Sequence, residues 1–117
     1  MKIILMLLIS SFLACSCNAQ NNNISTVTII NQSSEDIENG EIKMCGQSFD
    51  LPGLSLHEKF EISYKNFSDC HYLISIKFSS GKEIEEEIGY ITSGVTLKDR
   101  ILVGDATFSI ERKVEKD

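Results

Sequence analysis

The stretch Cys70-His71-Tyr72-Leu73-Ile74-Ser75-Ile76-Lys77-Phe78 decides the fold of this chain. Apolar and polar residues alternate along most of it, and this pattern predicts a half-buried β-strand. The residues that share the apolar face are Cys70, Tyr72, Ile74, Ile76 and Phe78. Because the stretch begins with a cysteine, sheet pairing and a covalent link are expected to meet at its start.

Short strands separated by turn residues are expected along the rest of the chain. Their positions are 25–31, 41–45, 59–64, 83–91, one interrupted stretch over 96–97 and 101–103, and 107–112, with 47–51 as a short hairpin return after 41–45. No stretch has a helical period of useful length. The sequence therefore predicts an all-β domain, an antiparallel β-sandwich of about seven strands over residues 24–113, followed by a short tail over 114–117.

An export signal is expected before this domain. Met1-Lys2 supplies one positive charge, and residues 3–13 form an apolar run. That run is shorter than the roughly 20 residues needed to cross a bilayer, and its length is typical of a signal peptide. Export is predicted to the periplasm, to the outer membrane through a lipid anchor, or to the outside of the cell.

Two cleavage sites compete in this leader. Phe12-Leu13-Ala14-Cys15 resembles the lipobox of bacterial lipoproteins, in which the cysteine receives lipid and becomes the mature N-terminus. This reading gives a lipoprotein signal over 1–14, Cys15 as the lipidation candidate and a tether over 15–23. Cleavage after Ala19 instead gives a signal peptide over 1–19 and a soluble protein. Contact with a membrane is expected only through such an N-terminal lipid anchor.

Two of the four cysteines, Cys45 and Cys70, lie inside the predicted domain. In an exported protein such a pair predicts a disulfide, which on the chain-entropy model stabilises by about 3.5 kcal/mol for a loop of about 26 residues. A metal or redox site at Cys70-His71 is the alternative. Neighbouring strand residues point to opposite faces, which disfavours one ion bound by both. No metal or other cofactor is expected.

The composition argues against several functions. The 117 residues carry a formal net charge of -6 at pH 7, and nucleic-acid binding needs clustered Lys and Arg instead. The two histidines, His57 and His71, belong to no nucleophile motif, and phosphate-binding glycine loops are absent. The chain is therefore not expected to be an enzyme, and no catalytic or cofactor-binding residues are assigned.

The acidic run from Glu83 to Glu87 has two interpretations. Glu83, Glu85 and Glu87 share one face at period two. The run is either a solvated edge strand blunted by charge or a site for a cation or a basic partner. The same period points Glu86 towards the apolar side. Because an unpaired buried carboxylate is costly, Glu86 is expected at the sheet margin or beside a bulge.

With these segments placed, the chain resembles small uncharacterised bacterial exported proteins and lipoproteins with an immunoglobulin-like sandwich. The segments that carry the resemblance are Val27-Thr28-Ile29-Ile30-Asn31, Cys45-Gly46-Gln47, Leu51-Pro52-Gly53, Cys70-His71-Tyr72 and Gly89-Tyr90-Ile91-Thr92-Ser93-Gly94. The resemblance implies an immunoglobulin-like fold and a location in the cell envelope, with no catalytic residues to carry over.

Two functions follow as hypotheses. The first is a non-enzymatic envelope binding module, whose partner is a protein or a glycan of the envelope. Its most available loops are 31–36, 65–69 and 92–94. The alternative is a periplasmic inhibitor or immunity-type protein that blocks a hydrolase. In that version the face formed by Glu83, Glu85 and Glu87 steers the protein towards a basic enzyme.

Overall fold

The structure is a computed structural model that describes residues 24–114. The predicted leader, the lipidation candidate Cys15 and the last three residues lie outside the described residues. Eight strands are present: β1 (Ile24–Asn31), β2 (Ile37–Met44), β3 (Gln47–Leu51), β4 (Lys59–Lys65), β5 (Cys70–Phe78), β6 (Glu83–Ile91), β7 (Leu97–Val103) and β8 (Phe108–Val114). No helix in this part of the chain is long and apolar enough to cross a membrane.

The strands form two four-stranded sheets, with orders β4-β1-β7-β8 and β3-β2-β5-β6. The predicted all-β sandwich is thereby confirmed, with eight strands where about seven were expected. All pairings are antiparallel except that of β1 with β7, which is parallel. The order also differs from that of constant-type immunoglobulin domains, whose sheets contain strands ABED and CFG.

Strand β5 has the predicted bounds, and it lies inside its sheet, between β2 and β6. Tyr72, Ile74, Ile76 and Phe78 on its inner face are each at most 2% exposed. They pack against the inner faces of β1 and β7, whose buried residues include Val27, Ile29, Ile101 and Val103. The alternation of apolar and polar residues along this strand therefore arises because one of its faces is buried against the opposite sheet.

The predicted disulfide between Cys45 and Cys70 is confirmed. Cys45 and Gly46 form the two-residue turn between β2 and β3, and their φ angles of 49° and 75° are both positive. Two positive φ angles are the requirement of a type I′ hairpin turn, and glycine adopts them without steric penalty. The bond links this hairpin tip to the first residue of β5 within one sheet, whereas the immunoglobulin bridge joins the two sheets.

Reducing this disulfide is expected to lower the free energy of unfolding by about 3.5 kcal/mol, because the unfolded chain regains the entropy of an open loop of about 26 residues. Urea titrations of the oxidised protein and of the Cys45→Ser/Cys70→Ser variant measure the difference. Equal midpoints and slopes for the two proteins contradict the expectation.

A buried carboxylate joins the two sheets. Asp99 on β7 is 2% exposed, and its two oxygens accept hydrogen bonds from Arg112 Nε at 2.7 Å and from the terminal guanidinium nitrogen at 2.9 Å. Tyr72, on the opposite sheet, donates its hydroxyl to Asp99 at 2.6 Å. The Tyr64 hydroxyl lies 2.7 Å from that of Tyr72 and completes the chain of contacts. A charge in this core is tolerated because each oxygen has a donor.

This network holds both tyrosines in their neutral forms. Burial, followed by the hydrogen bond to Asp99, raises the pKa of Tyr72 above its ordinary value. Burial also raises the pKa of Tyr64. The hydrogen bond to Asp99 raises the pKa of Arg112, so the guanidinium stays charged. The network is structural, because its carboxylate is sealed from solvent by the side chains that bind it.

Replacing Arg112 by glutamine is expected to destabilise the domain by about 3 kcal/mol, because a buried carboxylate loses its cation. The matched control is Arg100→Gln, which breaks the Arg100–Glu111 pair on the outer face. Both partners of that pair are more than half exposed, so the loss there is expected to stay below about 1 kcal/mol. Denaturant unfolding of the two variants tests the difference, and equal losses contradict it.

Candidate functional site

The predicted acidic residues Glu83, Glu85 and Glu87 lie on the outer face of edge strand β6. They stand opposite Lys77, Ser75 and Leu73 of β5, whose side chains point away from the core. All three glutamates are exposed. The alternation in the sequence therefore places these carboxylates correctly on one solvent-facing side of the sheet.

The strand register places two further carboxylates, which the sequence analysis did not identify, on the same surface as these glutamates. Glu41 of β2 is the partner of Ser75, and Asp50 of β3 is the partner of Glu41. Asp50, Glu41, Ser75 and Glu85 consequently form one row across all four strands. Glu41 and Asp50 carried no local signal, since the nearest of the predicted glutamates is more than 30 residues away along the chain. Only the strand order brings them together.

We call this outer surface of β3-β2-β5-β6 the acidic sheet face. Its outward-pointing charged side chains are Glu38, Glu41, Asp50, Glu83, Glu85 and Glu87, with Lys43 and Lys77. A depression of about 540 Å³ crosses it, lined by both members of the Glu41–Asp50 pair and by Glu83 and Glu85. The Ser48 hydroxyl donates to Glu41 at 2.8 Å. With six carboxylates against two lysines, this face presents a negative potential to solvent.

Glu86 lies at the sheet margin, which is one of the two positions expected for it from the sequence. It pairs with Ile74, whose side chain is on the inner face, yet Glu86 is exposed because β6 is the sheet edge. The register between β5 and β6 shifts between His71 and Tyr72, where Gly89 has a φ of 73°. An inward-pointing charge and a bulge both discourage edge-to-edge pairing with another sheet.

The outer surface of the other sheet carries the opposite charge, and we call it the basic sheet face. Its outward charged residues are Lys59, Glu61, Lys65, Lys98, Arg100, Glu111 and Lys113. Arg100 pairs with Glu111 at 3.0 Å. Five cations against two carboxylates leave this surface positive. The acidic chain is therefore strongly polarised across its thickness.

The three loops predicted to be available lie at two ends of the sandwich. Loops 66–69 and 92–96 share the end at which β1 begins, which we call the N-terminal end. They are joined there, because Asn66 Nδ2 donates to the carbonyl oxygens of Thr92 and Val95. Asn66 is fully buried, so this junction is part of the packed structure.

Loop 32–36 lies at the opposite end, which we call the far end. Asn31 organises it: its side-chain amide donates to the carbonyl oxygens of Glu35 and Leu54, and its Oδ1 accepts from Ser33. Asp105 of the β7–β8 loop accepts from the backbone N–H and the hydroxyl of Ser34. These hydrogen bonds fix the conformation of loop 32–36 at the far end.

Asp69 at the N-terminal end is the best-defined polar contact in these loops. It accepts from the Ser93 backbone N–H at 2.8 Å and from the Tyr90 hydroxyl at 3.0 Å. The Ser93 N–H, and then the Tyr90 hydroxyl, lower the pKa of Asp69 below its ordinary value. His71, adjacent to the disulfide, packs edge-on against the Tyr90 ring with centroids 5.2 Å apart. His71 therefore points to the side opposite Tyr72, as alternation predicts.

Comparison with known proteins gives the fold and nothing more specific. No protein-family model matches the sequence, and no curated protein matches it. A solved structure that matches is the NMR structure of a protein from Eubacterium rectale, with a TM-score of 0.59 at 14% sequence identity. The match covers 86% of this chain and 97% of that chain. At this identity the likeness establishes a shared small all-β fold alone.

Acidification is expected to weaken the N-terminal end through Asp69. A carboxyl whose folded pKa is depressed contributes stability above its unfolded pKa and loses it as pH falls through the folded pKa. The wild type should therefore lose stability below about pH 3.8, the ordinary value for Asp. Asp69→Asn should lose less over this interval. Urea unfolding from pH 5 to pH 2 compares the slopes, and parallel curves for the two proteins contradict the assignment.

Proposed function

We propose that the protein is an exported, non-enzymatic binding module of the bacterial cell envelope, which docks on a basic surface of a partner protein through its acidic sheet face. The observation that carries this proposal is the segregation of charge between the two sheets. Six carboxylates and two lysines point outward from one sheet, and five cations and two carboxylates point outward from the other.

The disulfide supports the export part of the proposal. Disulfides persist in oxidising compartments such as the periplasm and the cell exterior, and are rare in the reducing cytosol. The Cys45–Cys70 bond therefore fits the leader that the sequence predicts.

The size and shape of the acidic sheet face suit a protein partner. Four strands about 4.8 Å apart and up to nine residues long give a surface about 20 Å by about 30 Å. This approaches the roughly 800 Å² that each partner buries in a standard interface. The row of Asp50, Glu41 and Glu85 lies at its centre, where cations of a partner are drawn by the summed potential.

Inhibition of a periplasmic hydrolase is a second candidate, favoured by the depression that crosses the same face. Its lining carboxylates include Glu41, Asp50, Glu83 and Glu85, and these could seat basic side chains at the rim of an active site. In this version the partner loses its activity on binding with one-to-one stoichiometry. In the first version its activity is unchanged.

The test compares two variants of equal net charge as bait in envelope extracts of the source bacterium. Glu83→Gln/Glu85→Gln/Glu87→Gln neutralises the edge of the acidic sheet face. Glu61→Gln/Glu86→Gln/Glu111→Gln removes the same charge elsewhere, since two of its residues are on the other sheet and Glu86 points away from the face. A true partner is retained by the wild type and by the second variant, and is lost by the first.

The captured protein is then purified and its binding measured alone. Its association rate is expected to fall on the order of tenfold between 50 and 300 mM salt, since steered association is screened by ions. A partner held equally by both variants, or one whose binding is insensitive to salt, contradicts docking through this face.

A further inference from the structure

Exposed apolar side chains are concentrated at the N-terminal end of the sandwich. Among residues 24–114 there are four large exposed apolar side chains: Ile24 at 43%, Leu56 at 44%, Phe67 at 57% and Tyr90 at 48%. Three of these four lie at the end where β1 begins. Ile24 is the first residue of β1, Phe67 is in the β4–β5 loop, and Tyr90 is next to the last residue of β6. Only Leu56 belongs to the far end.

The same three residues surround that end. Ile24 pairs with Lys65 and points outward from the basic sheet face. Tyr90 pairs with His71 and points outward from the acidic sheet face. Phe67 projects from the loop that connects the two sheets. Phe67 therefore lies at the end itself, and Ile24 and Tyr90 lie at its rim on the two opposite outer faces.

Cations accompany these apolar residues. Lys65 is at the end of β4, and Lys98 stands opposite Lys113 in the adjacent row of the basic sheet face. Among the charged residues of the connecting loops, the far end has four carboxylates, Glu35, Asp36, Glu58 and Asp105, with one lysine, Lys82. The loops of the N-terminal end have one carboxylate, Asp69. Aromatic rings and lysines together are the side chains found at the surface of anionic bilayers.

The length of the chain before Ile24 limits how far this end can lie from a membrane. In the lipoprotein reading only residues 16–23 separate Cys15 from Ile24. Eight residues span at most about 29 Å. Strand β5 alone is about 30 Å long. In an anchored domain Ile24 therefore stays within about 29 Å of the lipid-bearing residue, which keeps the N-terminal end close to the bilayer.

We propose that the N-terminal end of the sandwich docks on an anionic lipid bilayer, with Phe67, Ile24 and Tyr90 at the headgroup level and Lys65 beside them. This inference rests on lipidation of Cys15 and on the envelope location given above, and it is independent of the acidic sheet face. Docking supplements the acyl anchor, because lipid together with a second apolar or basic contact holds a protein more firmly than one chain does.

Single tryptophans report the orientation, because the chain contains none. Phe67→Trp places a reporter at the N-terminal end, and Leu56→Trp places a similarly exposed one at the far end. The mature lipidated proteins are reconstituted into phosphatidylethanolamine–phosphatidylglycerol vesicles with and without brominated acyl chains. Phe67→Trp is expected to show a blue-shifted emission that brominated lipid quenches at least about twofold, since the ring lies within the interface. Leu56→Trp is expected to show neither effect.

Two lysines on strand β4, one at each end, allow a matched test of how much a positive charge contributes to docking on the bilayer. In the Phe67→Trp background, Lys65→Gln should reduce the quenching, whereas Lys59→Gln at the opposite end of β4 should leave it unchanged. Equal quenching of the two tryptophan reporters, or none at position 67, overturns the proposal. An intact mass that shows a mature protein starting at Gln20 without lipid also overturns it. None of these results bears on capture of a partner by the acidic sheet face, which is measured without vesicles.

Discussion

The buried carboxylate of Asp99 is the constraint on which the sandwich depends. Its ion pair with Arg112 spans the β7–β8 hairpin, and its hydrogen bond from Tyr72 crosses to the other sheet. Tyr64 on β4 extends the same chain of contacts to the edge of the first sheet. An apolar interface allows two sheets to slide with little loss, whereas a buried charge must keep all of its donors at fixed distances. The network therefore sets how the sheets face each other.

Local periodicity predicted the parts of this fold that depend on one strand at a time. The alternation from Cys70 to Phe78 identified a core strand, and two domain cysteines identified their bond. The same reasoning divided β7 at Lys98-Asp99-Arg100, because three charged residues interrupt an apolar pattern. The middle residue of that run is instead among the most buried of the domain. Its compensating partners, Arg112 and Tyr72, lie 13 and 27 residues away, so no local pattern could reveal them.

The residues of the candidate site also fall into two groups, those that a single strand places and those that strand order places. Alternation was sufficient to place Glu83, Glu85 and Glu87 on one surface, because all three belong to a single strand. Glu41 and Asp50 extend that surface only because β2 and β3 lie beyond β5 in the sheet order. Strand order depends on which apolar faces find each other in three dimensions, and pairs such as parallel β1 and β7 are far apart in the chain. Charge segregation between the faces is therefore a property of topology and register.

The charge difference between the two sheet faces and the concentration of exposed apolar side chains at the N-terminal end can both serve binding in a single orientation of the domain. With the N-terminal end against a bilayer, the strands stand upright and both sheet faces point sideways into the aqueous compartment. The acidic sheet face is then accessible along its full length and lies roughly perpendicular to the anionic lipid, which limits repulsion between them within a Debye length of about 8 Å. A domain lying flat would bury one face and expose only the other. Upright docking keeps apolar side chains on the membrane and leaves the carboxylates free for a partner.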